Sequence, residues 1–256
     1  MANNRNIVMG SGKIYVDVGP GEGERYMAET PGFSLAVKAE TMDVMSDDTP
    51  TQEVIDTVSK SVTRDFTLST KNITDDSLAL FLMGEAGTLS TTAGSVVDGP
   101  VNAGAGVTQG RYYQLGVSAG LPAGVRAITG VSLHAGATTF DLGADYSVDL
   151  ALARIYIVPG GGIADGEVLT CDYATTAATW GQVASTGQAA KVGSLRYIAD
   201  NSLGANRDLF IPLCQITPNG EIAWKGRDKP QEMGFTVKVK TPANGGATVL
   251  INGRPA

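Results

Sequence analysis

The sequence predicts a mainly β protein with many short strands and one short helix. Three observations predict this class: 33 glycines among 256 residues, only 18% charged residues, and repeated alternation of apolar and polar residues. Alternation with period two gives a strand one buried face, and glycine suits the tight turns that join strands. With 43% apolar residues, the chain can bury one large core or two modest ones.

The first elements are strands around an acidic segment. Alternation predicts strands at 13–18, 33–39 and 61–69, and a Gly-Pro-Gly composition predicts a loop at 19–23. Residues 39–59 contain six acidic residues and no Lys or Arg. A hairpin normally closes within a few residues, and long loops are uncommon unless they are functional. We therefore expect residues 39–59 to form a long functional loop.

One helix is predicted at 75–84. Thr74 or Asp75 can cap its first turn, and Asp75 and Asp76 favour the positive end of the helix dipole. Gly84 can end the helix in the left-handed conformation. The predicted helix is therefore short and has clear signals at both ends.

A small β-domain at 99–180 is predicted to interrupt a core formed by 1–98 and 181–256. The regular pattern is lost at 87–110 and 175–188, which we interpret as linkers. Strands in the inserted domain are predicted at 112–117, 130–133, 145–149, 154–158 and 168–173.

Strand and turn patterns return after the inserted domain. Strands are predicted at 209–216 and 222–225 around a Pro-Asn-Gly turn, and further strands at 235–240 and 248–251. The C-terminal part therefore continues the β core.

Two nucleotide-binding or catalytic motifs fail on inspection. Gly10–Lys13 resembles part of a phosphate loop, but Ile14 stands where the magnesium-binding hydroxyl is needed. Ser118 matches a G-x-S-x-G elbow, but the glycines and proline that follow prevent the required helix. The only histidine, His134, follows Ser118 with no acidic residue between them. The sequence therefore predicts no enzyme and no cofactor.

The sequence does not indicate a metal site, and it leaves the state of the two cysteines partly open. One histidine and two distant cysteines give no pattern for a transition-metal site, so no metal is predicted. Cys171 and Cys214 are expected to be free thiols in a reducing compartment, with a single disulfide left open as the alternative.

Charge is distributed unevenly along the chain. Residues 1–98 carry 7 basic and 15 acidic residues, 99–180 carry 3 and 6, and 181–256 carry 9 and 5. An acidic front and a basic back suit head-to-tail self-association, although chance surface charge is an equal alternative. No secretory signal or membrane helix is visible, so no membrane insertion is expected.

The order of elements resembles the major tail tube proteins of long, non-contractile-tailed phages. The resemblance rests on a Gly-x-Gly-Lys-Ile-Tyr-Val strand at 10–18, the strands at 32–40 and 61–73, the segment 41–60 between them, and the Leu-rich helix. Residues 208–213 and 235–240 fit the closing strands of that family. About two thirds of the chain is covered, by the order of elements rather than an invariant motif.

The resemblance implies a structural role in the virion. It implies a β-sandwich or half-barrel core with one helix, six copies forming a ring, and rings stacking head to tail into a tube. Its partners would be other copies, a tape-measure protein and tail-end or completion proteins, with DNA passing through unbound during genome ejection. The tail would be assembled in the host cytoplasm.

Three sets of candidate residues follow. In the resembled family the long loop reaches a neighbouring subunit or ring, and this role falls on Asp43, Asp47, Asp48, Glu53 and Asp56. The polar face that we expect to line the lumen, or else to face solvent or a neighbour, is Ser61, Thr63, Asp65, Thr67 and Ser69. The basic partner face would be Lys225, Arg227, Lys229, Lys238 and Lys240.

An alternative function is a virion decoration or cell-surface binding module that uses the inserted β-domain. This alternative predicts a stable monomer or trimer and a ligand-dependent melting temperature. The tube subunit instead predicts rings or filaments that respond to salt.

Overall fold

The structure is a computed structural model that describes residues 7–19, 23–48, 50–185 and 189–254. It is mainly β, with 52% of residues in strands and 5% helical, and its sheets are antiparallel. The predicted fold class is therefore confirmed at this level. The predicted loop at 19–23 lies partly outside the described residues, as does the end of the predicted linker at 175–188.

Seventeen strands and one α-helix make up the described fold. The first eight strands are β1 Gly12–Asp17, β2 Arg25–Tyr26, β3 Gly32–Met45, β4 Val54–Thr70, β5 Glu85–Thr91, β6 Gly94–Pro100, β7 Tyr112–Gln114 and β8 Ile128–Ala135. The others are β9 Thr138–Thr139, β10 Tyr146–Asp149, β11 Arg154–Ile157, β12 Thr170–Thr175, β13 Ala178–Ala184, β14 Lys191–Ala199, β15 Arg207–Asn219, β16 Met233–Val239 and β17 Leu250–Gly253. Helix α1 spans Asp75–Phe81, and Val101–Gly104 form a short 3-10 turn.

The chain forms two compact units, and the second is an insertion in the first. Unit 1 comprises Met1–Gly87 and Val183–Ala256, and unit 2 comprises Thr88–Gln182. The first boundary lies earlier than the predicted one after residue 98, because β6 pairs with β12 inside unit 2.

Unit 1 is built on an eight-stranded antiparallel sheet. The strand order is β2-β1-β14-β15-β16-β4-β3, and β17 also pairs with β15. Phe66, Ile211 and Phe235 are fully or almost fully buried on one face of this sheet. Helix α1 contacts β15 and β16, and the Phe81 ring meets the Phe235 ring edge-on at 5.9 Å between centroids. The core of unit 1 therefore lies between this face and the helix.

Helix α1 begins and ends with complete caps. Thr74 caps the start, where its hydroxyl accepts a hydrogen bond from the Ser77 N–H at 3.2 Å. At the end, the Gly84 N–H donates to the Ala79 carbonyl, and Met83 takes the left-handed conformation with φ of 51°. The prediction that Gly84 takes this conformation was wrong. Gly84 serves close packing instead, since a Cβ there would lie 2.2 Å from the Ala184 carbonyl oxygen.

Two segments predicted as linkers are partly strands. Residues 87–110 include most of β5 and all of β6, and residues 175–188 contain β13, which pairs with β5. Most residues of these strands are small or polar, so little apolar alternation marks them in the sequence. The strand predicted at 222–225 is not formed. Instead, β15 continues through the predicted turn, past Pro218 to Asn219.

A bidentate ion pair links the residue after β17 to strand β15. Arg254 follows β17, and its guanidinium donates to both carboxylate oxygens of Asp208 on β15, at 3.0 and 3.2 Å. The Ala199 N–H donates to the same carboxylate at 2.9 Å. The hydrogen bond from Arg254 is the main cause that lowers the pKa of Asp208 below its usual value, with the Ala199 N–H second.

Unit 2 contains a four-stranded sheet, β6-β12-β8-β9, and a three-stranded sheet, β10-β11-β7. Leu133, Ile155, Leu169 and Cys171 are fully buried in its core. Both cysteines of the chain are buried free thiols, which settles the alternative of a disulfide. Burial raises the pKa of each thiol to about 12.

Candidate functional site

The most distinctive feature of unit 1 is a long β-hairpin formed by β3 and β4. The two strands pair from Gly32 opposite Ser69 to Met45 opposite Val54. On its other side β4 pairs with β16, but only over residues 65–70. Residues 37–64, which we call the arm, therefore extend beyond the rest of the described sheet as a two-stranded ribbon. Almost every described residue of the arm is exposed.

The arm corrects the expectation of a long acidic loop at 39–59. Strand pairing continues to Met45 and resumes at Val54, so the connection is limited to residues 46–53. Two register shifts explain the missed part of β4, because each adds one residue to that strand and breaks its alternation. They fall between Glu40 and Thr41 and between Val44 and Met45. β3 has no extra residue, but its exposed apolar side chains change from the side of Val37 to the side of Met42.

The five acidic candidates of the arm lie on its strands and at its tip. Asp43 lies on β3 and Asp56 on β4. The Thr57 hydroxyl donates a hydrogen bond to the Asp43 carboxylate at 2.8 Å, and the Thr57 N–H donates one to the Asp56 carboxylate at 2.8 Å. The other three, Asp47, Asp48 and Glu53, lie in the connection. All five are exposed, so they give the outer arm a negative surface.

The arm also exposes many large apolar side chains. They are Val37, Met42, Val44, Met45, Val54, Ile55, Val58 and Val62. Alternation along β3 puts Val37 on the same side as the buried sheet face, and Met42 and Val44 on the opposite side. Met42 pairs with Val58 across the ribbon. Both sides of the arm therefore carry apolar surface, and sequence reasoning missed this because it attended to charge alone.

The five polar candidates of β4 share one face. Thr63, Asp65, Thr67 and Ser69 alternate with the buried Phe66 and Leu68, so they point away from the core; Ser61 continues this row next to a register shift. Ser34 and Thr67 are hydrogen-bonded across the strands at 2.7 Å. On the other side, Lys238 is the register partner of Asp65. The structure thus places this row on the polar face of the sheet.

The five basic candidates do not form one group. Lys225, Arg227 and Lys229 lie in the exposed connection between β15 and β16, whereas Lys238 is on the polar face of β16 and Lys240 follows that strand. The alternation of β16 explains the position of Lys238, since its neighbours Val237 and Val239 turn toward the core. Lys225, Arg227 and Lys229 are therefore the three of the five candidates that lie together in one connection.

The residues of the failed motifs have structural roles. A Cβ at Gly12 would lie 2.3 Å from the Ile198 carbonyl oxygen, so this glycine allows close strand packing. Ser118 lies in a turn, where its hydroxyl accepts a hydrogen bond from the Leu121 N–H at 3.2 Å.

One cluster of unit 2 was not predicted. His134 on β8 lies beside Asp98 on β6 and Asp172 on β12, and one potential ligand atom from each residue lies within 4.8 Å of the others. The prediction of no metal rested on the spacing of candidate ligands along the chain. Three different strands bring these residues together, so no local motif could have revealed them.

The fold and the arm define a class: a mainly β protein of two units whose larger sheet extends into an exposed hairpin. A family model matches residues 7–239, and the chain belongs to that family, which is described as protein of unknown function UCP028589. The search of curated proteins found no match. Among the described residues, no helix has both the length and the apolar character needed to cross a membrane.

Proposed function

We propose that this protein is a structural subunit that assembles with copies of itself through the arm, as the tail tube subunit of a long, non-contractile phage tail. Six copies form a ring, and rings stack head to tail into a tube. A tape-measure protein occupies the tube before DNA passes through it, and completion proteins close its end. The site of action is the virion, after assembly in the host cytoplasm.

The observation that carries this proposal is the apolar surface of the arm. A two-stranded hairpin is marginally stable in water without a covering layer, and long exposed strands are templates for association. Here eight large apolar side chains are exposed on the arm, on both of its sides. A neighbouring subunit that covers the arm would stabilise it and bury this surface.

Charge supports a second copy of this chain as the occupant. Residues 39–59 carry six acidic residues and no base, whereas residues 181–256 carry nine basic and five acidic residues. The proposed partners of the acidic arm tip are the side chains of Lys225, Arg227 and Lys229 in the exposed connection between β15 and β16. The same connection also carries Glu221, Asp228 and Glu232, so the contact depends on these three basic side chains and not on the net charge of the connection. Such pairing favours head-to-tail stacking and weakens with added salt.

The polar face of the unit 1 sheet is the proposed wall of the lumen. Its central rows include Thr63, Asp65, Thr67 and Thr236, with Lys238 as a basic neighbour of Asp65. Lys38, the register partner of Thr63, is a second basic residue of this face. The hydroxyl-bearing and acidic residues between the two lysines would limit phosphate contacts and so keep DNA from binding tightly, because each contact by Lys or Arg adds affinity. Cryo-EM of the assembled protein would test this directly, and a density map with this face outside the channel would exclude the assignment.

The decisive experiment compares the full chain with an arm-shortened variant. Removing residues 43–57 and joining Met42 to Val58 through Asn-Gly keeps a register pair at the new turn. Since nearly all of the described residues in this range are exposed, the variant is expected to fold, which circular dichroism and thermal melting would verify. Negative-stain microscopy should show rings or tubes of uniform diameter for the full chain only. Tubes from the shortened variant, or a full chain that stays monomeric at high concentration, would contradict the proposal.

A second candidate function, a binding module in unit 2, is favoured by one surface cluster. Tyr112 is exposed, its ring centroid lies 4.7 Å from that of Tyr156, and the Arg154 guanidinium lies 4.7 Å from the Tyr112 centroid. A cleft of about 460 Å³ adjoins Tyr112 and Tyr173. Exposed aromatic rings of this kind suit sugar rings, and a glycan-dependent rise in melting temperature that is lost in Tyr112→Ala would support it.

A further inference from the structure

The cluster of Asp98, His134 and Asp172 in unit 2 brings two carboxylates and one imidazole, both side-chain types that bind borderline divalent metals, onto one surface. The Nε2 atom of His134 is 2.8 Å from an oxygen of Asp98 and 3.9 Å from an oxygen of Asp172. Imidazole and carboxylate groups together are typical ligands of zinc. Asp98 lies on β6, Asp172 on β12 and His134 on β8, and β12 lies between the other two strands in one sheet.

The two carboxylates of the cluster converge on one imidazole nitrogen. One imidazole nitrogen has a single bonding position, which the Asp98 oxygen at 2.8 Å can occupy. The Asp172 oxygen at 3.9 Å from the same nitrogen is outside hydrogen-bond range. It accepts a hydrogen bond from the Asp98 N–H instead. Two carboxylates thus face one nitrogen, an arrangement that a cation between them would stabilise.

We infer that Asp98, His134 and Asp172 bind a divalent metal ion of the zinc class. The ligand atoms of tetrahedral zinc lie about 3.3–3.5 Å apart, since each metal bond is about 2.0–2.2 Å long. The two separations to the His134 nitrogen bracket this value, so small side-chain movements admit the ion. The side chain of His134 is 13% exposed and that of Asp98 is 71% exposed, which leaves one side open for water ligands.

Cys171 precedes Asp172 but is not a ligand. It is fully buried in the core of unit 2, and alternation along β12 turns it to the side opposite Asp172. The metal ligands are therefore nitrogen and oxygen only. Bound metal would join three strands of the insertion and raise its melting temperature, independently of any role of the arm.

The test uses the full chain without an affinity tag, with Zn²⁺ and Co²⁺ as probes. Because His134 is the only histidine, its imidazole proton signals are readily assigned by NMR, and Zn²⁺ should shift them with saturation at one ion per chain. Unshifted signals would overturn the inference without any variant. The Co²⁺ complex should lack thiolate charge-transfer absorption, and the presence of that absorption would assign the metal to a cysteine instead.

Variants separate this cluster from general acidic surface. His134→Gln and Asp172→Asn should each weaken Zn²⁺ binding by more than about 100-fold, because even residues that only orient a ligand contribute 10–100-fold. Asp141→Asn removes one exposed carboxylate of the same unit and should leave binding unchanged. Equal affinity for wild type and His134→Gln, with both proteins folded by circular dichroism, would exclude the site.

Discussion

Removing apolar groups from the outer arm, without changing its length, should weaken assembly while leaving the subunit intact. The proposed variant is Met42→Gln, Val44→Thr and Val58→Thr, which keeps residues compatible with strands. Met42 and Val58 are register partners, and alternation places Val44 on their side of the ribbon. All three substituted residues lie outside the core of unit 1.

The exposed fractions set the size of the effect. Met42 is 48% exposed, Val44 39% and Val58 47%. Full burial of such a side chain is worth about 1.5–3 kcal/mol, so covering the exposed part of each contributes roughly 0.6–1.4 kcal/mol. The three together contribute about 2–4 kcal/mol per arm contact, which corresponds to about a 30- to 1,000-fold rise in the critical concentration for assembly.

Sedimentation and light scattering across a concentration series would measure this critical concentration, and thermal melting would measure subunit stability. The melting temperature should stay nearly constant, because exposed substitutions change stability by about 0.5 kcal/mol or less. Val97→Thr, at a residue of unit 2 that is 72% exposed, is the matched control and should assemble normally. An unchanged critical concentration in the triple variant would refute the reasoning that the arm is covered on assembly.

Three further predictions concern stability and reactivity. Met83→Gly should stabilise unit 1 by about 1 kcal/mol in thermal melting, because glycine adopts the left-handed conformation without strain. Gly84→Ala should destabilise unit 1, because the added Cβ meets the Ala184 carbonyl. A lower melting temperature for Met83→Gly than for Gly84→Ala would refute the assignment of the helix cap. Both cysteines should resist a thiol reagent at pH 8 until the chain unfolds, since their pKa is raised to about 12, and rapid labelling of the native protein would contradict their burial. Asp208→Asn should lower the melting temperature at neutral pH. Because the folded pKa of Asp208 is lowered, its stabilisation is full above the unfolded value of about 3.9 and disappears as the pH falls through the lower folded value, where the two proteins should melt alike.

The sequence predicted elements whose signals are local. Thr74 and the apolar residues after it identified helix α1, and period-two alternation identified β1 and β16. The extent of β4 was missed because the two register shifts displace its alternation where the arm leaves the sheet. The extent of β3 was missed because its apolar residues change sides between Val37 and Met42. Val54 and Val58 have high strand propensity, but the acidic and polar residues around them are more typical of a loop.

The candidate sites depended on information that a single sequence does not carry. Asp98, His134 and Asp172 are distant along the chain, and only the order β6-β12-β8 brings them together. Similarly, the basic candidates seemed one group by sequence, but Lys238 lies on a strand and Lys225 in a connection. Non-local strand order determines both outcomes, and it cannot be deduced from local periodicity.

The pairing of β5 with β13 has a consequence for how this chain can evolve. These strands carry the chain out of unit 1 after Gly87 and back into it at Val183. Paired strands lie about 4.8 Å apart, so the two ends left by excising the insertion could be joined by a short turn. A gene segment encoding residues 88–182 can therefore be lost, gained or exchanged for another without rerouting the remaining chain. Recombination at this ribbon would diversify one unit while the other keeps its sequence.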